Sequence, residues 1–282
     1  MPDPARLLRT LQQAIQGFRN TPGRNGRLVC LQNGDEVMVV GDLHGNLENF
    51  RKALLKADLV KHPGRHLVLQ ELVHGPHKYP AGGDKSHQLM DLLAALKCQF
   101  PQQVHLLLGN HELSQWTGQG IAKAEADLNA AFREGVGTAY GPRAPEIYAA
   151  YLDLFTVIPL AVRTPNRVFL SHSIPGRSKL EQFDPVKLSW DLHDEEDVRP
   201  GGTVHSLVWG RDTSAETVAT FLHKVDADWV ITGHIPCERG FDVPNERQII
   251  LDALGTPACY CLFPIDRAVT QESLVSCIAT LS

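Results

Sequence analysis

The sequence predicts a layered α/β fold, and three observations carry that prediction. Short apolar runs recur along the chain, each stopping abruptly at a polar residue of the kind that binds ligands: VMVVGD at Asp42, HLVLQE at Glu71, VHLLLGN at Asn110, RVFLSH at His172 and WVITGH at His234. Runs this short, β-branched or Leu-rich and bounded by turn residues, read as buried strands. Helical patterns separate the early runs, since residues 46–57 and 84–100 carry apolar side chains at three- and four-residue spacing. Later strands follow one another through tight turns, as at Thr164-Pro165-Asn166, and RQIILDA and ACYCLFP read as adjacent strands. Strands alternating with helices indicate an α/β layered core.

The remaining elements fill in around this frame. Residues 4–20 read as an amphipathic helix with Leu7, Leu8, Leu11, Ile15 and Phe18 on one face, docked on the domain rather than acting as a targeting peptide. A turn-rich loop, TPGRNG, follows at 21–26. Residues 113–156 read as a helical insertion, with helices over IAKAEADLNAAF and APEIYAAYLDLF. No linker composition interrupts the 282 residues, so a single domain is expected.

Composition narrows the function classes. Hydrophobic residues make up 43% of the chain, enough for a substantial core. The formal net charge of -5 disfavours nucleic acid as the main partner. No apolar run approaches the roughly 20 residues that span a bilayer. The six cysteines form no CxxC pair, and Cys259 and Cys261 alternate within a strand-like run, which points to reduced, structural thiols and a cytoplasmic protein. Nothing in the sequence specifies an oligomeric state.

Polar residues at strand ends matter because neighbouring strands deliver them to one edge of a sheet, where ligands of open α/β folds bind. A lone strand-end Asp is usually a turn cap, and a lone His is usually a hydrogen-bonded structural residue. Five such ends carrying Asp, Glu, Asn, His and His form a plausible metal site. A mixed set of oxygen and imidazole donors suits Mn²⁺, Fe or Zn²⁺ better than Ca²⁺. Two such ions can clamp the attacking and leaving oxygens of a phosphoryl displacement and acidify a water molecule. The sequence shows no evident Ser-His-Asp or reactive-Cys arrangement.

Two motifs are specific: Gly41-Asp42-Leu43-His44-Gly45 and Gly109-Asn110-His111-Glu112, each after an apolar strand. Together with Ser171-His172 and Gly233-His234-Ile235-Pro236, they resemble the phosphoprotein phosphatase branch of the calcineurin-like metallophosphoesterases, over about residues 36–263. The resemblance implies two mixed β-sheets packed face to face and flanked by helices. It implies that Asp42 and His44 bind a first metal, that Glu71 stands at the position of a bridging aspartate, and that Asn110, His172 and His234 complete a second. It also implies that His111 is the general acid in an in-line attack by metal-activated water on a phosphorylated substrate.

The second block of that family, usually GDxVDRG, is altered here to Gln70-Glu71-Leu72-Val73-His74-Gly75. Glu71 keeps the bridging carboxylate with one more methylene. His74 replaces the aspartate that orients the acid histidine, and Gly75 replaces the phosphate-binding arginine. The inserted residues 76–85 are expected to restore missing parts: His74, His77, Lys78 or Lys85 as phosphate contacts, with Asp84 either orienting a histidine or capping a helix that begins at Lys85. A rival alignment makes Asp84 the bridging ligand. Arg211, in Val208-Trp209-Gly210-Arg211-Asp212, is expected to hold phosphate oxygens in a fork, its plain alternative being a surface turn with a salt bridge. Arg177 is a second candidate. The expected activity is hydrolysis of phosphomonoesters, with phosphorylated Ser, Thr or Tyr in proteins as substrates. Hydrolysis of dinucleoside polyphosphates and a non-catalytic phosphate-recognition module are the alternatives.

Overall fold

The structure, a computed structural model, describes residues 3–120, 122–123 and 126–282. Two mixed sheets form its centre. One runs, edge to edge, Ile278–Thr280, Cys259–Pro264, Glu36–Asp42, Arg65–Gln70, Val104–Leu107. The last three strands are mutually parallel, and Cys259–Pro264 is antiparallel to Glu36–Asp42. The other sheet runs Arg24–Asn25, Leu28–Cys30, Ala161–Arg163, Val168–Ser171, Trp229–Thr232, Gln248–Leu251, Phe241–Asn245. Here Val168–Ser171, Trp229–Thr232 and Gln248–Leu251 are parallel.

Side-chain alternation along the strands builds a four-layer stack. Val37 and Val39 join Val68, Leu170, Ile231 and Ile249 in a core between the sheets. Met38 and Val40, one residue out of phase, join Leu11, Phe50, Leu93 and Tyr151 in the core beneath the helices. The other sheet does the same, with Phe169 and Val230 turned towards Phe221 and Leu222 of the Ala215–Lys224 helix. Both faces of the central strands are therefore buried, which is why they read as unbroken apolar runs.

The N-terminal helix spans Pro4–Arg19. Asp3 caps it, accepting from the Ala5 N–H, and Leu7, Leu11, Ala14, Ile15 and Phe18 are buried against the helices His87–Gln99 and Ala144–Val157. No helix among the described residues is long and apolar enough to cross a membrane. All six cysteines are unpaired.

Two expectations are corrected. The strands at RQIILDA and ACYCLFP are not neighbours: Gln248–Leu251 lies in the seven-stranded sheet and Cys259–Pro264 in the five-stranded one. Apolar periodicity identifies a strand but not its partner, and the chain crosses between sheets in the intervening residues. The helix expected over IAKAEADLNAAF begins only at Leu128, where Asp127 caps it by accepting from the Ala130 N–H. Ala122–Lys123 and Ala126–Asp127 instead pair as a short antiparallel ladder, and residues 121, 124 and 125 lie outside the described residues.

Leu11→Ala removes a fully buried side chain from the N-terminal helix. It is expected to lower the unfolding free energy by about 2–5 kcal/mol, measured as a lower urea midpoint. Gln12→Ala, on the exposed face of the same helix, is expected to stay within about 0.5 kcal/mol of the parent.

Candidate functional site

The parallel strands of both sheets end at one place. Asp42 terminates Glu36–Asp42, Glu71 follows Arg65–Gln70, and Asn110 opens the helix Asn110–Thr117 two residues after Leu108. From the other sheet, His172 follows Val168–Ser171 and Gly233-His234 follows Trp229–Thr232. The turns are tight. His44, Glu71, His74 and His234 all have left-handed backbones, with φ of 41°, 39°, 62° and 68°. Such conformations cost about 1 kcal/mol each in non-glycine residues and persist where surrounding bonds over-determine them. Here the Glu71 carbonyl accepts from the N–H groups of Leu43 and His44. Buried Glu112 accepts from Leu72 N–H at 2.8 Å and Val73 N–H at 3.2 Å, clamping the turn that presents Glu71.

The side chains then interlock. Asp42 Oδ2 accepts from His234 N–H at 2.7 Å, and its Oδ1 lies 3.6 Å from His172 Nδ1. Glu71 Oε2 lies 3.4 Å from His44 Nε2 and 3.3 Å from His172 Nε2, while its Oε1 accepts from His111 N–H at 2.9 Å. Asn110 Oδ1 is 2.8 Å from His172 Nε2. His44 Nδ1 is 3.1 Å from the Val73 carbonyl, which can only accept, so Nδ1 is the donor and Nε2 is the nitrogen turned to Glu71. Two glycines make this density possible. A Cβ on Gly233 would fall 2.2 Å from Asp42 Oδ1, and one on Gly109 would fall 2.7 Å from Glu71 Oε1 and 2.6 Å from Glu112 Oε2.

Electrostatics identify what the cluster is built for. Burial pushes the Asp42 and Glu71 carboxyls well above the usual range, and at Glu71 the charge of Asp42 adds to the effect. Burial pushes His172 well down and His234 down to about 3, with Arg211 the next cause at His234. Asp42 Oδ1, His172 Nδ1 and His234 Nε2 are buried without a hydrogen-bond partner. Buried donors left unsatisfied cost free energy unless a ligand engages them. Two sets, His44–Glu71–His111 and Glu71–His172–His234, each bring one ligand atom per residue within 4.8 Å of one another, and they share Glu71. Each set could hold a cation, and Glu71 is common to both.

Around the cluster, the structure places the other sequence candidates. His111 borders it and stacks edge-on to His44. His74, expected to touch phosphate, is instead buried behind His111: their Nδ1 atoms are 2.8 Å apart, and His74 Nε2 is 2.9 Å from Gln115 Oε1. Burial drives the His74 ring down to about 4, so it is neutral near pH 7. The Asp84 carboxylate accepts from Gly75 N–H, Ser86 N–H and Ser86 Oγ, so it ties the His74–Gly75 turn to Ser86. It neither ligates the cluster nor caps a helix at Lys85, since the helix begins at His87. Lys78 is exposed, and Lys85 lies over the Tyr79 ring at 5.2 Å. The 76–85 insert is seated on the Leu128–Tyr140 helix, where the Asp84 N–H reaches the Ala131 carbonyl and Gly83 packs on Gly135. Arg211 is exposed, and its charge bears on both His172 and His234. Asp212 beside it is occupied by Arg177 N–H, Ser214 and Thr217, which fixes the loop without pairing to Arg211. Arg177 pairs with Glu216 at 3.1 Å.

Glu112 as clamp and Gln115 as partner of His74 were not singled out from sequence. Gln115 had a signal, since it stands four residues after His111 and so shares its helical face.

Comparison with known proteins places the fold. The chain is 24% identical, over 243 residues, to a probable serine/threonine-protein phosphatase of Encephalitozoon cuniculi; the match covers 79% of this chain and 47% of that protein, so the chain spans about half the length of that relative. A serine/threonine phosphatase structure from Saccharomyces cerevisiae superposes with a TM-score of 0.69 at 15% identity, covering 97% of this chain and 86% of that one. A cold-active protein-tyrosine phosphatase of a psychrophilic Shewanella gives 0.59 at 14% identity, covering 92% and 83%. The model of the calcineurin-like phosphoesterases matches residues 36–238, and the chain belongs to that family.

Proposed function

We propose that the protein is a metal-dependent phosphomonoesterase whose substrates are phosphorylated Ser, Thr or Tyr side chains of proteins. The observation that carries the proposal is the meeting of six ligand-type side chains at the strand ends of both sheets, three of them holding buried, unpartnered donor atoms. Asp42, His44, Glu71, Asn110, His172 and His234 would hold two cations, with Mn²⁺, Fe or Zn²⁺ matching the mixed donors. Bound there, such ions supply Lewis-acid stabilisation of phosphoryl charge and acidify water. The remaining work falls to the protein. As the oxygen of water bonds to phosphorus and the P–O bond to the leaving group breaks, His111 gives the departing oxygen its proton. Arg211, exposed and with a charge that bears on His172 and His234, would bind phosphate oxygens in a fork. The names of the relative and of both superposed structures support a protein substrate, and the six unpaired thiols support a cytoplasmic setting.

Hydrolysis of p-nitrophenyl phosphate by chelated and then Mn²⁺-reconstituted protein tests the reading. Turnover is expected only after reconstitution, with metal analysis at two ions per chain; equal turnover with chelator present would refute it. Glu71→Gln is expected to abolish turnover and the Mn²⁺-dependent rise in melting temperature. Because it relieves the repulsion between Asp42 and Glu71, the chelated variant should melt no lower than the chelated parent. Arg211→Ala is expected to leave metal content unchanged and to raise KM about tenfold or more, as loss of a charge-assisted fork of roughly 1.5–3 kcal/mol requires; an unchanged KM would remove Arg211 from the site.

A further inference from the structure

Behind the acid histidine lies a chain of polar groups whose hydrogen positions are determined by its far end. Gln115 Nε2 is 2.7 Å from the Tyr148 hydroxyl and 3.4 Å from the Asn129 carbonyl. A carbonyl only accepts, so the Gln115 amide nitrogen faces it and Oε1 faces His74. Oε1 in turn only accepts, so the neutral His74 ring carries its proton on Nε2. His74 Nδ1 is then a lone pair, and His111 Nδ1, 2.8 Å away, must be the donor. Everything that holds His74 serves this arrangement: its N–H donates to Ser86 Oγ at 3.0 Å, Ser86 Oγ donates to Asp84 at 2.8 Å, and the ring packs edge-on to Phe132.

We propose that His74, locked in its Nε2–H tautomer by Gln115, is the positioning residue for His111: the His111 imidazolium donates its Nδ1–H to His74 and so turns its Nε2–H to the substrate oxygen, and once that proton has left it remains as the neutral Nδ1–H tautomer. This inference rests on the phosphatase reading and on His111 as its acid. A neutral imidazole acceptor does here what a carboxylate does in the family block that this chain resembles, and the 76–85 insert supplies the clamp that keeps it in place. The consequence is specific to the chemistry of the leaving group. A phenolate or alkoxide needs the proton, whereas 2,4-dinitrophenolate departs without it.

Turnover on phenyl phosphate and on 2,4-dinitrophenyl phosphate, by Mn²⁺-loaded protein at saturating substrate, separates the possibilities. His74→Leu and Gln115→Met are each expected to lower kcat on phenyl phosphate about ten- to hundredfold, within the range of general-acid contributions, and to change kcat on 2,4-dinitrophenyl phosphate little. Gln115→Met touches neither the metal ligands nor His111, so it holds if His74→Leu fails to fold. His74→Asn puts an amide oxygen where His74 has Nδ1 and tolerates the left-handed backbone, and it should recover most of the loss. Equal losses on both substrates, or no recovery in His74→Asn, would make His74 merely structural and overturn the inference. Unchanged kcat on phenyl phosphate in both His74→Leu and Gln115→Met would overturn it as well, while His111→Asn remaining impaired would leave the phosphatase reading standing. No metal-dependent turnover by the parent protein would instead refute that reading itself.

Discussion

Two carboxylates, Asp42 and Glu71, are buried side by side where the strand ends of both sheets meet, and much of the surrounding structure exists to tolerate them. Each is driven towards its neutral form by burial, and their mutual repulsion adds to the cost. The protein offsets this with backbone N–H donors, from His234 to Asp42 and from His111 to Glu71. It surrounds the pair with imidazoles, those of His172 and His234 driven towards the neutral form by burial, and among the described residues no lysine or arginine pairs with either carboxylate. A buried ion pair would have removed the tension and with it the reason for a cation to bind. The cluster is thus less stable alone than a paired one, which is the stability–function compromise expected of a binding site.

The same constraint explains the local geometry. Glu71 reaches one methylene further than an aspartate would, and Gly109 leaves space for it, since any Cβ there would press on both Glu71 and Glu112. Glu112 holds the following turn through two backbone N–H groups, and that turn carries His74 to the back of His111. Glu71, Glu112, His74 and His111 are therefore one connected unit rather than separate features.

Much of the fold was legible in sequence because the central strands are buried on both faces, so apolar runs ending in Asp42, Glu71, Asn110, His172 and His234 stood out. The glycine-flanked motifs marked the turns. What stayed hidden was pairing between distant segments. Sheet membership of Gln248–Leu251 and Cys259–Pro264 could not be read, because both show strand character and neither names its neighbour. The role of His74 depends on a left-handed turn and on a loop seated against the Leu128–Tyr140 helix, neither of which has a local signature. Arg211 was visible as a charge, but its bearing on His172 and His234 was not, since it depends on a loop whose Gly210 sits too close to the Ile174 carbonyl for any Cβ.

The passage between sheets has a mechanical consequence. After Gln248–Leu251 the chain steps across Asp42, where Ala253 N–H donates to the Asp42 carbonyl, and Asn46 and Asn49 grip the carbonyls of Leu254 and Ala253 before the chain enters the opposite sheet. The two sheets are thus fastened at the end that holds the cluster, and again at the opposite end, where Asn166 Nδ2 donates to the Pro264 carbonyl. Asp42 and Glu71 of one sheet meet His172 of the other beside the first fastening. Inter-sheet spacing and the spacing of these side chains become a single coordinate, so buried side chains such as Val39 and Ile231, packed between the sheets, set how far apart the two halves of the cluster stand.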